Sequence, residues 1–485
     1  MLARPSGTVR TGVLLTLLAA PGIAIAELVR EQTGTPGFFV GLGLALLPVG
    51  PLTAVFLHLG RPASRRGTGS LWWCFGWGAC AAALIAILAN GFATEWMADA
   101  GTEAQRADRL GSMAIAPVVE EIAKGAALLP ALVLRRPRPW GITDSVVVAG
   151  FTATGFAFTE NILYLGNAFG EDLVSRPAVL DSLTLATLFV RLLLSPFAHP
   201  LFTALTALGL ALGARRRTAL ARRALPALGL AAAMGAHGLW NGSSEFGEHG
   251  FHLVYASVMV PLFALVTAVT VRSRSARLRA IRDELGVYAE AGWLGPAERE
   301  ALASPPTRAL ARSLARRAGG RAAARALDRY AAAATELALA RRAARRHGLG
   351  AGGAAGFTAR ERELLEEVWA RGPEAGPALC RAALAEGLVV AVPLVPEVEA
   401  VPEAVPVGAA ATVGAARVPV GIGAGGGGAA PLNGVPAQTR AEPGPPPGGD
   451  GPAADLRWSD PCPAGTRPGR WPARRSGPPG AGGRP

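Results

Sequence analysis

Lysine is all but missing from this 485-residue chain: Lys124 is the single one, and the other basic residues behind the formal net charge of +13 are all arginines. Cysteine is nearly as scarce. Cys74, Cys80, Cys380 and Cys462 are spaced neither as a disulfide framework nor as a zinc motif, and they read as small apolar residues. No basic stripe interleaves with aromatics in a recognisable fold, so nucleic acid is not an expected partner. The composition of a soluble domain is also absent. Half of the residues are apolar and the mean hydropathy is +0.31, in a chain too long for one ordinary domain. What is left is an all-α, polytopic membrane protein whose arginines belong to cytoplasmic loops and anionic headgroups.

Apolar runs of spanning length occur at Thr11–Val29 and then at about 37–59, 71–93, 111–134, 142–167, 184–213, 225–242 and 251–271. The reading is therefore of eight transmembrane helices. Ala24-Ile25-Ala26 resembles a signal-peptidase site, but a retained first span is the preferred reading. Loop charge follows the count. Arginines cluster after the second run (Arg61, Arg65, Arg66), the fourth (Arg135, Arg136, Arg138), the sixth (Arg215 to Arg217, Arg222, Arg223) and the eighth (Arg272, Arg274, Arg277, Arg279). The alternate loops carry Glu95, Asp99, Glu103 and Asp108, then Glu171, Asp172 and Asp181, then Glu245 and Glu248. Positive-inside alternation places both termini in the cytoplasm of a multi-pass protein of the cell membrane.

Three regions follow: residues 1–271 with the membrane helices, 272–390 as an Ala/Arg-rich cytoplasmic helical region, and 391–485 as a Pro/Gly/Ala-rich tail. Within the second, Thr358 followed by Glu361 reads as a capping box opening a helix that runs to about Ala370. The tail lacks helical periodicity and is expected to be disordered.

The fourth run holds Glu120, Glu121 and Lys124 together in apolar surroundings. Each charge at the centre of a bilayer costs roughly 2.5–3.5 kcal/mol on insertion scales, so three persist where they pair, line a wet cavity or do chemistry. On a helix, Lys124 reaches either carboxylate. The next three runs each add such a residue: Phe156-x-x-x-Glu160-Asn161, then His199 with Thr203, then His237-x-x-Trp240-Asn241. Each has a companion four positions away on the same helix face, placed to orient it: Lys124 for Glu120, Phe156 for Glu160, Thr203 for His199, Asn241 for His237. At a rise of about 1.5 Å per residue, Glu120 and Glu160 lie roughly 14 Å and 10 Å below the outer ends of their runs, in the outer half of the bilayer. Singly, such residues are ordinary interhelical hydrogen-bonding groups or a buried ion pair. Together Glu120, Glu121, Glu160, His199 and His237 form the oxygen and nitrogen set that zinc accepts. Arg191 either pairs with a site carboxylate or snorkels to the headgroups, and snorkelling is the favoured reading.

With these residues in this order on consecutive runs, the chain resembles the PrsW family of intramembrane proteases, within the wider group that includes the CAAX prenyl endopeptidases. The resemblance covers about residues 10–271. It implies site-1-type cleavage of a membrane-anchored substrate, such as an anti-sigma factor, near the extracytoplasmic side. One of Glu120 and Glu121 is then the general base, with Lys124 and Asn241 in the catalytic group, and Glu160, His199 and His237 hold zinc. A metal-free glutamate mechanism with histidines or Asn241 stabilising the oxyanion is equally open at this point. A proton- or ion-coupled transporter, or a membrane sensor or scaffold without catalysis, would use the same polar cluster.

Overall fold

The computed structural model describes residues 7–60, 69–129, 141–347 and 351–389, and every regular element among them is helical. The helices are α1 (Gly7–Gly60), α2 (Ser70–Asp99), α3 (Ala104–Leu110), α4 (Ala116–Ala126), α5 (Ile142–Ser175), α6 (Leu183–Phe189), α7 (Ala198–Gly213), α8 (Ala219–Asn241), α9 (Gly250–Val254), α10 (Val260–Glu290), α11 (Pro296–Ala303), α12 (Pro305–His347) and α13 (Ala351–Ala385). The tail expected to be disordered, and the arginine-rich loops after the second and fourth apolar runs, lie outside the described residues.

Among the described residues five helices are long and apolar enough to cross a membrane: Leu18–Gly60, Ser70–Asp99, Ile142–Ser175, Leu183–Gly213 and Gly250–Glu290. The first of them folds back on itself. Gly34 sits at φ 70°, ψ 159°, a backbone region essentially restricted to glycine, and it separates two straight segments. Leu18 and Gly22 pack on Gly76 and Cys80, so the first segment runs parallel to α2. Trp72 and Phe75 meet Phe151 and Phe158, and α2 in turn runs parallel to α5. Gly41, Phe56 and Gly60 meet Ile162, Gly150 and Val147, which makes the second segment antiparallel to α5. The two segments therefore run in opposite directions and hold the first two apolar runs of the sequence. The fourth and seventh runs correspond to α4 and α8, which are not among the five. α4 is 11 residues long and carries Glu120, Glu121 and Lys124; α8 begins with Arg222 and Arg223 in its first turns.

Small residues set how α7 and α8 pair. A Cβ on Gly209 would stand 2.5 Å from the Leu225 carbonyl oxygen and 2.9 Å from the Gly229 Cα, and Gly213 lies equally close to Pro226. Such backbone approach is how helices associate where no hydrophobic gain separates protein from lipid. The antiparallel register it imposes brings His199, one end of α7, opposite His237 on α8. Met113 and Pro117 pack on Gly238, so α4 lies antiparallel to α8 on its other side.

α10 continues without interruption from apolar sequence into a C-terminal helical region built on its own core of Ile281, Leu285, Leu302, Leu327, Leu337, Leu364 and Leu379. Burying each such side chain stabilises by about 1.5–3 kcal/mol. α12 is a hairpin in which Gly320 takes φ 65°, and Arg312 pairs with Asp328 at 3.0 Å across the turn while Arg308 reaches the Thr335 hydroxyl at 3.0 Å. The capping box expected at Thr358 is not formed. That residue lies inside α13 and donates to the Ala354 carbonyl at 3.0 Å, and Glu361 accepts instead from Tyr288. The core that α13 joins prolongs the helix in both directions past the local signal. Arg277 of α10 meets Asp144 at the start of α5 at 2.7 Å, tying the region to the membrane helices.

Candidate active site

α4, α5, α7 and α8 converge on one buried polar cluster. Pro117 stands in the first turn of α4, where a missing N–H is harmless, and the next turn turns Glu120, Glu121 and Lys124 inward. Lys124 is fully enclosed. Its ammonium donates to Glu121 Oε1 at 2.8 Å and to Glu120 Oε2 at 3.2 Å, meets His199 Nδ1 at 3.0 Å, and lies 4.1 Å over the Phe156 ring. Three N–H groups thus find three acceptors and an aromatic face, the full complement an ammonium can use in a site closed to water.

The network determines the histidine tautomers. An ammonium only donates, so His199 Nδ1 accepts from Lys124, and Nε2 carries the proton that goes to Glu160 Oε2 at 2.6 Å. His237 Nδ1 stands 3.2 Å from Glu121 Oε1 and donates to it, which leaves the Nε2 lone pair directed at Glu120 Oε2, 3.8 Å away. The imidazole of His237 is stacked on Phe202 at 4.7 Å between centroids, and the two histidine rings are perpendicular at 5.3 Å.

The two adjacent glutamates differ. Glu121 accepts from Lys124 and His237 on one oxygen and from the Thr203 hydroxyl at 3.0 Å on the other. Glu120 accepts only on Oε2; its Oε1 takes no hydrogen bond from the described residues. Glu160 is held from two sides. Its Oε2 also accepts from Arg191 at 2.6 Å, and that guanidinium lies 3.9 Å over Tyr164, one turn further along α5. Arg191 sits on a π-helical turn, Val190–Leu194, that interrupts the α6 segment. Arg191 therefore pairs with the site carboxylate and does not snorkel: Glu160 and the Tyr164 ring hold the guanidinium inward.

Of the residues expected from sequence, Glu120, Glu121, Lys124, Glu160, His199 and His237 are joined in this one network. Asn241 is not part of it. Its amide donates to the Ser112 carbonyl at 2.9 Å and fastens the end of α8 to the turn before α4. The companions four positions apart divide in the same way. Lys124 does reach Glu120, but Thr203 serves Glu121 and not His199, and Phe156 lies beneath Lys124 and 5.4 Å from the His199 ring. Thr203 and Phe202, which complete the surroundings of Glu121 and His237, carry no signal in the sequence beyond their proximity to His199.

Glu120, His199 and His237 offer ligand atoms that all lie within 4.8 Å of one another. Two imidazoles and a carboxylate are a donor set suited to a divalent metal, and two bonds of about 2 Å span roughly 4 Å, enough for the 3.8 Å between Glu120 and His237. The residues present fit a metal ion. Glu160, already bonded to Arg191 and His199, stands beside this trio.

No curated protein and no solved structure matches the chain. A family model does, over residues 67–266, the PrsW family intramembrane metalloprotease, and the stretch it matches takes in every member of the buried cluster. Over those residues, this membrane chain is similar to the PrsW family of intramembrane metalloproteases.

Proposed function

We propose that the protein hydrolyses a peptide bond of a membrane-anchored protein, of the anti-sigma-factor type, on the extracytoplasmic side of the membrane, with the cluster on α4, α5, α7 and α8 as its active site. The observation that carries the reading is the inequality of the two glutamates: a carboxylate with both oxygens engaged beside one whose Oε1 stays open. Glu120 is the general base. Its Oε1 takes a proton from water as the oxygen bonds to the carbonyl carbon, and returns that proton to the departing amide nitrogen. Glu121 holds His237 in the tautomer that presents Nε2, and Thr203 and Lys124 hold Glu121. Arg191 fixes Glu160, and Glu160 fixes His199. The metal is assigned to Glu120, His199 and His237, with zinc as its proposed identity. When bound, a metal at these residues supplies polarisation of the scissile carbonyl and a lowered pKa for water.

The extracytoplasmic location rests on the loop charges. With the reversal at Gly34 and with α4 and α8 counted as crossings, the chain passes the membrane eight times and keeps both termini in the cytoplasm. Arg109 pairs with Glu245 at 3.1 Å, as two loops on one face of the membrane should. The test is purified protein in nanodiscs, assayed on a panel of single-span substrates with and without chelator. Cleavage of one class near its outer membrane boundary, lost on chelation and restored by zinc, is the expected result. Absence of cleavage with a correctly inserted protein would favour an ion-coupled transporter or a sensor.

A further inference from the structure

Every nitrogen of His199 is already engaged: Nδ1 by the Lys124 ammonium at 3.0 Å, Nε2 by Glu160 at 2.6 Å. The same ammonium holds Glu120 Oε2 at 3.2 Å, the oxygen that faces His237. Two of the three groups suited to a metal are thus bound to one internal cation. That cation is the chain's single lysine, fully enclosed, and it is centred among Glu120, Glu121 and His199. An arginine fork in its place would spread its donors over a plane and could not put one point of charge among three acceptors.

We propose that Lys124 competes with the divalent cation for Glu120 and His199, and that this competition sets the metal affinity of the site. The proposal rests on the metalloprotease reading above and adds to it a cost of loading. Metal binds when the ammonium leaves Glu120 and His199 for Glu121 alone, so the lysine keeps a carboxylate partner in both states. A lysine that only braced the ligands would have the opposite effect, because its removal would loosen them and weaken metal binding.

The measurement is the dissociation constant for Zn2+ and Co2+, by competition with a chromophoric chelator in detergent, with the Co2+ d–d spectrum as a check that nitrogen and oxygen ligands are engaged. Lys124→Met should bind at least tenfold more tightly than wild type. Removing a positive charge raises affinity by field alone, so a variant that keeps the net charge separates the effects. Glu121→Gln with Lys124→Met leaves the net charge of the cluster unchanged, so it should still bind more tightly than wild type; it also serves where Lys124→Met alone fails to fold, as judged by helical circular dichroism and gel filtration. Unchanged or weaker binding in both Lys124 variants overturns the competition while leaving the metalloprotease reading in place. No binding by any folded variant at millimolar metal, with cleavage that persists in chelator, overturns both.

Discussion

His199 and His237 face each other with perpendicular rings 5.3 Å apart, although they belong to different helices. Their meeting is set at the other end of the pair, where Gly209 and Gly229 let the two backbones touch. Gly209→Val should therefore inactivate the enzyme at a distance. The added atoms fall 2.5 Å from the Leu225 carbonyl oxygen and must push α8 away, at about 1–3 kcal/mol. Gly235→Val on the same helix meets nothing within 4 Å and should keep activity and thermal stability. Equal behaviour of the two variants in proteolysis and heat-inactivation assays would contradict the register argument.

The glutamates should separate under mutation. Glu120→Gln removes the open proton acceptor and keeps volume, so kcat should fall by about 10²–10⁴ with an unchanged melting curve. Glu121→Gln gives three donors a weaker acceptor, and should lower both activity and stability, the latter by about 1–3 kcal/mol. Single-turnover cleavage combined with thermal unfolding in detergent reads both effects. Full activity in the two variants would favour a structural ion pair.

Asn241 tests the boundary of the site. Its bond to the Ser112 carbonyl implies that Asn241→Ala costs about 0.5–1.5 kcal/mol of stability and leaves kcat nearly intact. An oxyanion-stabilising amide would instead cost about 10²–10³ in kcat. The ratio of kcat values for Asn241→Ala and wild type decides the matter.

Eight crossings predict opposite exposure of successive loops. In a background with Cys74, Cys80, Cys380 and Cys462 replaced, cysteines at Leu180 and Glu248 should react with a membrane-impermeant reagent added to intact cells, and cysteines at Arg216 and Ala318 should react only after lysis. All four positions are exposed on the protein surface. Labelling of Arg216→Cys from outside would remove a crossing.

Arg191→Lys and Arg191→Gln address the positioning of His199. Both keep a donor toward Glu160, but the stacked contact with Tyr164 is lost, so kcat should fall about tenfold, an increase of about 1.4 kcal/mol in the barrier. Arg191→Lys should retain more activity than Arg191→Gln because the charge beside Glu160 remains. Identical losses would argue that the guanidinium acts through shape and not through charge.

The sequence by itself determined that this is a helical membrane protein and which ionisable residues stand within its apolar runs, because both are written in local terms: the length of apolar runs, and the cost of a charge within them. It also determined two contacts of the site, Lys124 with Glu120 and with Glu121, since residues four and three apart on a helix share one face. Tertiary structure decided the rest. Thr203 belongs to Glu121, Asn241 to Ser112, and Arg191 to Glu160, and none of these pairs lies on one helix. Helical periodicity states which face a side chain occupies and is silent about the face opposite it. That depends on how closely two backbones approach and at what register, which here is settled by glycines such as Gly209 and Gly229 well away from the site. The choice of Glu120 over Glu121 as the open carboxylate follows from the same cause: adjacent and chemically identical in the sequence, they differ only in which neighbouring helices reach them.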